Sequence, residues 1–156
     1  MKTVLFVCTA NIARSPMAEA MFNKMLKEAG LDSQCHARSA GTWAMDGHPA
    51  PEDGQRAMME RGLDTSHHLS RVVTQEILDD SDLILTMEAG HKEALQVEFP
   101  FSSSKVFMLT EMVGSVSDID DPFKRGLDQF KETASLLEEI LSSGFTKILQ
   151  LTTSGG

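Results

Sequence analysis

The sequence predicts an α/β fold built on a parallel sheet. Two observations carry that prediction. The chain opens on a short, uninterrupted apolar run, as a strand buried on both faces requires. After it, strand-like and helix-like segments alternate as far as Leu141. At 156 residues the chain is expected to be a single domain, 1–156.

The first strand is read over Lys2 to Cys8, K-T-V-L-F-V-C. A helix follows from Ser15-Pro16, with Met17, Ala20, Met21, Met25 and Ala29 at helical spacing. Pro16 suits the first helical position, Ser15 the N-cap and Gly30 the stop. The third helical position is Ala18, so no capping box is expected. A weaker strand pattern lies within Ser33 to Ala40, followed by a loop rich in Gly and Pro from Gly41 to Pro51. Glu52 to Gly62 reads as a helix, Asp82 to Met87 as the third strand and Glu88 to Val97 as a helix. Lys105 to Leu109 reads as the fourth strand. A polar, acidic loop spans Gly114 to Gly126. Leu127 to Leu141 is a closing helix with Leu127, Phe130, Ala134, Leu137, Ile140 and Leu141 on one face. Residues 152–156 are expected to be a frayed tail.

Composition narrows the function. A formal net charge of −9 argues against a nucleic-acid partner, which needs a basic footprint. No apolar run approaches the length of a membrane span, and the first segment is not built as a secretory signal. Two cysteines make no disulfide scaffold, so a reducing, cytoplasmic setting is expected, with no membrane partner. His48, His67 and His68 lack a usable metal-ligand spacing, so neither metal nor cofactor is expected.

Ligands of parallel α/β sheets bind beyond the carboxyl ends of the strands. Cys8 ends the first strand there, and five residues separate it from Arg14 and the next helix. A connection this tight can curl its amides into an anion nest. The helix N-terminus adds partial positive charge, and Arg14 adds a planar fork for two phosphate oxygens. All three favour the thiolate of Cys8, a nucleophile facing a phosphate cradle. The pattern lacks the glycines and lysine of a Walker loop.

V-C-T-A-N-I-A-R-S-P resembles the phosphate loop of the low-molecular-weight protein tyrosine phosphatases, V-C-x-G-N-x-C-R-S-P. Ser39-Ala-Gly-Thr42 resembles that family's S-A-G-T, and Ser66-x-His68-x-x-Arg71 its S-x-H-x-A-R. Asp82 to Met87 resembles the third strand, and Asp121-Pro122-Phe123 the D-P-aromatic before the last helix. The resemblance implies a doubly wound four-stranded parallel sheet flanked by helices. It implies a protein tyrosine phosphatase acting on a phosphotyrosine-containing protein or peptide, inhibited by inorganic phosphate and other oxyanions. Cys8 would attack phosphorus to form a phosphocysteine. Arg14 and the loop from Thr9 through Ala10, Asn11, Ile12, Ala13 and Ser15 would hold the phosphoryl oxygens, and Ser15 would donate to the Cys8 sulfur. Asp121 would be the general acid and then the general base, with Asp118 and Asp120 as near rivals. Asn11 would take a left-handed backbone supported by Ser39 and His68.

The chain departs from the family pattern in informative places. Ala10 replaces a glycine, and Ala13 replaces the second loop cysteine, which in many relatives pairs with the nucleophile under oxidation. Glu88 stands where relatives often carry Asp, which leaves a pairing with His68 open. Lys124 follows Phe123, where some relatives have a second aromatic. Ile12 resembles the phosphotyrosine enzymes, whereas Thr there resembles the phosphoarginine ones. Ile12, Trp43 and Phe123 would wall the substrate pocket. The alternative is a protein arginine phosphatase of the same family. An arsenate reductase would need two further cysteines, and only Cys35 remains. A phosphocarrier would have no need of a general acid.

Overall fold

The computed structural model describes residues 1–154. Four strands, β1 (Lys2–Cys8), β2 (Cys35–Gly41), β3 (Leu83–Thr86) and β4 (Val106–Met108), form one sheet in the order β2-β1-β3-β4. All three pairings are parallel, as the alternation of elements predicts. The helices are α1 (Arg14–Glu28), α2 (Glu52–Met59), α3 (Gln75–Asp79), α4 (Ala89–Glu98), α5 (Leu127–Ser143) and α6 (Phe145–Ser154). Short 3-10 turns at Pro100–Lys105 and Leu109–Val113 flank β4.

Side-chain alternation along β1 explains why helices cover both faces. Val4, Phe6 and Cys8 point into one core with α1, α5 and α6, through Phe22, Leu26, Leu137 and Ile148. Leu5 and Val7 point into the other, with Leu78 of α3, Leu95 of α4 and Val106. Each large apolar side chain so buried contributes about 1.5–3 kcal/mol. Phe130, Ala134, Leu137, Ile140 and Leu141 form the buried stripe of α5, as their spacing predicts.

Two expectations are corrected. The end of the chain is not frayed at Thr152: residues through Ser154 continue α6, and Thr152 is buried with its hydroxyl bonded to the Ile148 carbonyl at 2.6 Å. Only 155–156 of that segment fall outside the described residues. Ser15 is not the N-cap of α1, because the helix already begins at Arg14 and Ser15 has other partners, described below. Helix α3, in a segment the sequence pattern left unassigned, is a five-residue element whose N-cap Thr74 accepts the Ile77 amide through its hydroxyl. No helix among the described residues is long and apolar enough to cross a membrane.

Candidate active site

The strand order makes β1 central, so its carboxyl end delivers Cys8 to the middle of one sheet edge. The loop from Cys8 to Ser15 rests on β2. The Thr42 amide donates to the Cys8 carbonyl at 2.9 Å and the Trp43 amide to the Thr9 carbonyl at 3.0 Å. Gly41 is what allows this approach. A Cβ there would lie 2.3 Å from the Thr9 carbonyl oxygen and 3.0 Å from the Asn11 nitrogen. The glycine of the S-A-G-T motif is thus a seat for the loop.

Asn11 takes a left-handed backbone, φ 57°, as the resemblance implies. Ala10 does not, so its methyl meets no left-handed strain. The Asn11 side chain is fully buried; its Nδ2 donates to Ser15 Oγ at 2.9 Å and its Oδ1 accepts the Arg71 amide at 2.9 Å. His68 Nε2 lies 2.5 Å from the Asn11 carbonyl oxygen, to which it donates. Ser39 does not join this network directly. Its hydroxyl donates to Glu19 of α1 at 2.6 Å, a stronger, ionised acceptor. Its carbonyl accepts Arg71 Nε at 3.0 Å, so Ser39 supports Asn11 only through Arg71.

Cys8 Sγ and Ser15 Oγ are 2.9 Å apart and both are buried. Since the Asn11 amide already donates to that oxygen, the serine hydroxyl proton is free to point at sulfur. Arg14 is 2% exposed. Its Nη1 donates to Glu88 Oε2 at 2.5 Å and to the Ile119 carbonyl at 2.6 Å. Its Nε is buried with no hydrogen-bond partner among the described residues. A guanidinium anchored on one edge, with an unpaired donor on another, suits an oxyanion ligand.

His91 is a neighbour of the site that the sequence did not single out, and Glu88 has a different partner from the one considered. Glu88 reaches Arg14 and not His68, and it is the N-cap residue of α4. The Glu88 amide donates to His91 Nδ1 at 3.1 Å, so Nε2 carries the ring proton and donates to Thr9 Oγ1 at 2.8 Å. Burial, followed by the Arg14 charge, holds His91 below the usual imidazole range, which keeps this neutral tautomer. The Glu-x-x-His spacing after a strand was the signal available for this pair.

The acidic loop closes over Arg14. Ile119 is buried, and its amide donates to the Met87 carbonyl at 2.9 Å. Asp118 is withdrawn from the site by accepting the Ala89 amide at 2.8 Å. Asp121 Oδ2 lies 3.8 Å from Arg14 Nη2, and its Oδ1 accepts the Phe123 amide at 3.0 Å. Asp121 and Phe123 then line one narrow slot with Cys8, Ala10, Ile12, Ala13 and Arg14. Trp43 stands apart from that slot and lines an adjoining groove, whose wall it shares with Ile12 and Phe123. Cys35 is remote: it pairs with Lys2, six strand positions from Cys8, or about 20 Å.

The family described as low molecular weight phosphotyrosine protein phosphatase matches residues 3–152. A protein-arginine-phosphatase of Bacillus subtilis is 38% identical over 88% of this chain and 91% of its own. A low molecular weight protein-tyrosine-phosphatase of the same organism is 35% identical over 92% of this chain and 96% of its own. The crystal structure of a low molecular weight protein tyrosine phosphatase from T. tengcongensis superposes with a TM-score of 0.89 at 37% identity, covering 94% of this chain and 99% of that one. A cysteine and an arginine at the mouth of a doubly wound sheet, matched over nearly the whole length, leave one assignment: the chain belongs to the low molecular weight phosphotyrosine protein phosphatase family, a family of hydrolases.

Proposed function

We propose that this phosphatase hydrolyses phosphotyrosine monoesters in proteins through a phosphocysteine intermediate. The observation that carries the reading is the meeting of Cys8, Arg14 and Asp121 in one slot. In the first step the Cys8 thiolate attacks phosphorus and the bond to the phenolic oxygen breaks. Asp121 delivers its proton to the departing phenolate. Arg14, through Nε and Nη2, and the loop of residues 9–15 hold the phosphoryl oxygens as charge spreads over them. In the second step the Asp121 carboxylate takes a proton from water, the water oxygen bonds to phosphorus and the S–P bond breaks. Inorganic phosphate leaves, the thiolate returns and Asp121 is protonated again. Ser15, by donating to sulfur, steadies Cys8 as nucleophile and as leaving group. Free Cys8 and Cys35 thiols suit a reducing, cytoplasmic setting.

Phosphotyrosine is favoured by Ile12 and Phe123, which flank the slot with apolar surface suited to a phenyl ring. The second reading, phosphoarginine, is favoured by the 38% identity to an arginine phosphatase. Phosphotyrosine, phosphoarginine and phosphoserine peptides of one sequence separate the two. The expected order places phosphotyrosine first, with activity abolished by Cys8→Ser and with Asp121→Asn slower by about 10²–10⁴-fold. Faster release from phosphoarginine would favour the second reading. Activity surviving Cys8→Ser would overturn both.

A further inference from the structure

A larger groove of about 550 Å³ adjoins the slot over Cys8. Ala10, Ile12 and Phe123 line both. Beyond that shared wall the groove is lined by Trp43, Met45, Pro49 and Pro51. Met45 and the two prolines take no part in the chemistry above, and the Met45 side chain is largely exposed. Trp43 is 84% exposed and Met45 71%. Large apolar side chains clustered at the mouth of a catalytic slot mark a binding surface.

The backbone that displays them is fixed before anything binds. The Gly47 amide donates to the Ser70 carbonyl at 2.8 Å, and the Ser70 amide to the His48 carbonyl at 2.8 Å. The His48 amide donates to Ser70 Oγ at 3.0 Å, and the Val72 amide to Asp46 Oδ1 at 2.9 Å. The bond from the Trp43 amide to Thr9 ties the same rim to the phosphate loop. Binding on this rim therefore orders side chains only, and a stitched loop loses little further entropy.

We propose that the groove is a subsite for the substrate chain, taking a large apolar side chain within about three residues of the phosphotyrosine. The inference rests on the phosphotyrosine reading and deepens it. Continuity with the slot names the occupant: a chain whose phosphorylated residue enters the slot must run out over the wall of Ala10, Ile12 and Phe123. The lining names its chemistry. It is mostly apolar, it includes the Glu52 carboxylate, and no Lys or Arg is among its described residues. An acidic side chain would be desolvated there beside the Glu52 carboxylate, with His48 as the one lining side chain able to become a cation among the described residues.

The test is a position scan of phosphotyrosine peptides with Leu, Ser or Asp at each neighbouring position. The wild-type chain, Met45→Asp and Met45→Ser are compared. Each kcat/KM is divided by the same protein's value on free phosphotyrosine, which removes any general loss from the substitutions. At one position or more, Leu should exceed Ser by about tenfold, and in both variants that advantage should shrink to about twofold or less. Asp at the same position should fall below Ser. A flat profile on an active wild-type enzyme, or a Leu advantage unchanged in the two variants, overturns the subsite and leaves the phosphatase reading standing. A folded wild-type chain that does not hydrolyse free phosphotyrosine overturns the phosphotyrosine reading and the subsite with it.

Discussion

The carboxylate of Glu88 holds the guanidinium of Arg14 by its Nη1, 2.5 Å away. Arg14 is buried, so its charge needs a partner, and Glu88 supplies one without occupying Nε. Glu88 is in turn the N-cap residue of α4, with its amide held by His91 Nδ1. The pair thus fastens the buried arginine to the start of α4.

Glu88 is therefore a positioning residue. In Glu88→Gln, Arg14 keeps its charge and its bond to the Ile119 carbonyl and exchanges a carboxylate partner for a neutral, weaker acceptor. The expected result is a fall in kcat/KM of about 10–100-fold, as one misaligned charge contact produces. Inorganic phosphate should inhibit the variant more weakly, because the same guanidinium would hold it. Steady-state kinetics with phosphate as competitor check this. Unchanged phosphate inhibition would show that Arg14 needs no such anchor.

Gly41 should tolerate no side chain. In Gly41→Ala the new methyl meets a backbone oxygen at 2.3 Å, and the loop must move. Activity should drop by about 100-fold, the scale of a reacting group displaced by about an ångström. Overpacking of this kind also costs about 1–3 kcal/mol of stability. Gly90→Ala is the control. A Cβ there meets nothing within 4 Å, and the site lies in α4, where Ala is the better helix former. Gly90→Ala should melt at or above the wild-type temperature with activity retained.

His91 sets a stability limit in mild acid. Its folded form resists protonation because of burial and the nearby Arg14 charge, while the unfolded chain takes up that proton near pH 6.5. The unfolded state therefore binds more protons below about pH 6.5, and stability falls as the pH drops through that range. Above it the residue is neutral in both states and contributes no slope. His91→Gln removes the titration, so its denaturant midpoint should change less between pH 7 and pH 5 than that of the wild type (a range chosen around the imidazole value). His36 is also held low by burial and contributes in the same direction in both proteins. Parallel curves for the two proteins would exclude His91 as the source.

Oxidation of Cys8 should be hard to reverse. Ala13 offers no thiol, and Cys35 sits at the far end of the sheet, well beyond the reach of a disulfide. Burial, with Asp82 nearby, also pushes the Cys35 thiol up, so it stays protonated and unreactive. Peroxide should inactivate the enzyme with little recovery on adding thiol, and Cys35→Ser should behave the same. Ala13→Cys should restore recovery. Recovery in the wild type that disappears in Cys35→Ser would show the two cysteines meeting in some other conformation.

Local chemistry made much of this protein legible in its sequence. The apolar run before Cys8 and the Cys-to-Arg spacing are each carried by nearby residues and pointed to a strand and a phosphate loop by themselves, whereas the role of Asp121 came only from the family resemblance. The stripe of α5 was equally readable, because periodicity is a property of one segment. Partner choice between distant segments was not. Whether Glu88 would reach His68 or Arg14, and whether the Ser39 hydroxyl would serve Asn11 or Glu19, depended on which strand lay beside which. The same holds for Gly41, whose need for a bare backbone arises only because residues 8–11 cross over it. Helix α6 escaped for a related reason: its Thr-rich sequence is a poor helix former alone, and burial of Ile148 and Thr152 decides its conformation. The sequence by itself determined the parallel α/β alternation and the short loop from Cys8 to Arg14 at the end of the first strand. Only the tertiary structure decided which side chains hold that loop in place, because hydrogen-bond and ion-pair partners are set by distances that chain order does not encode.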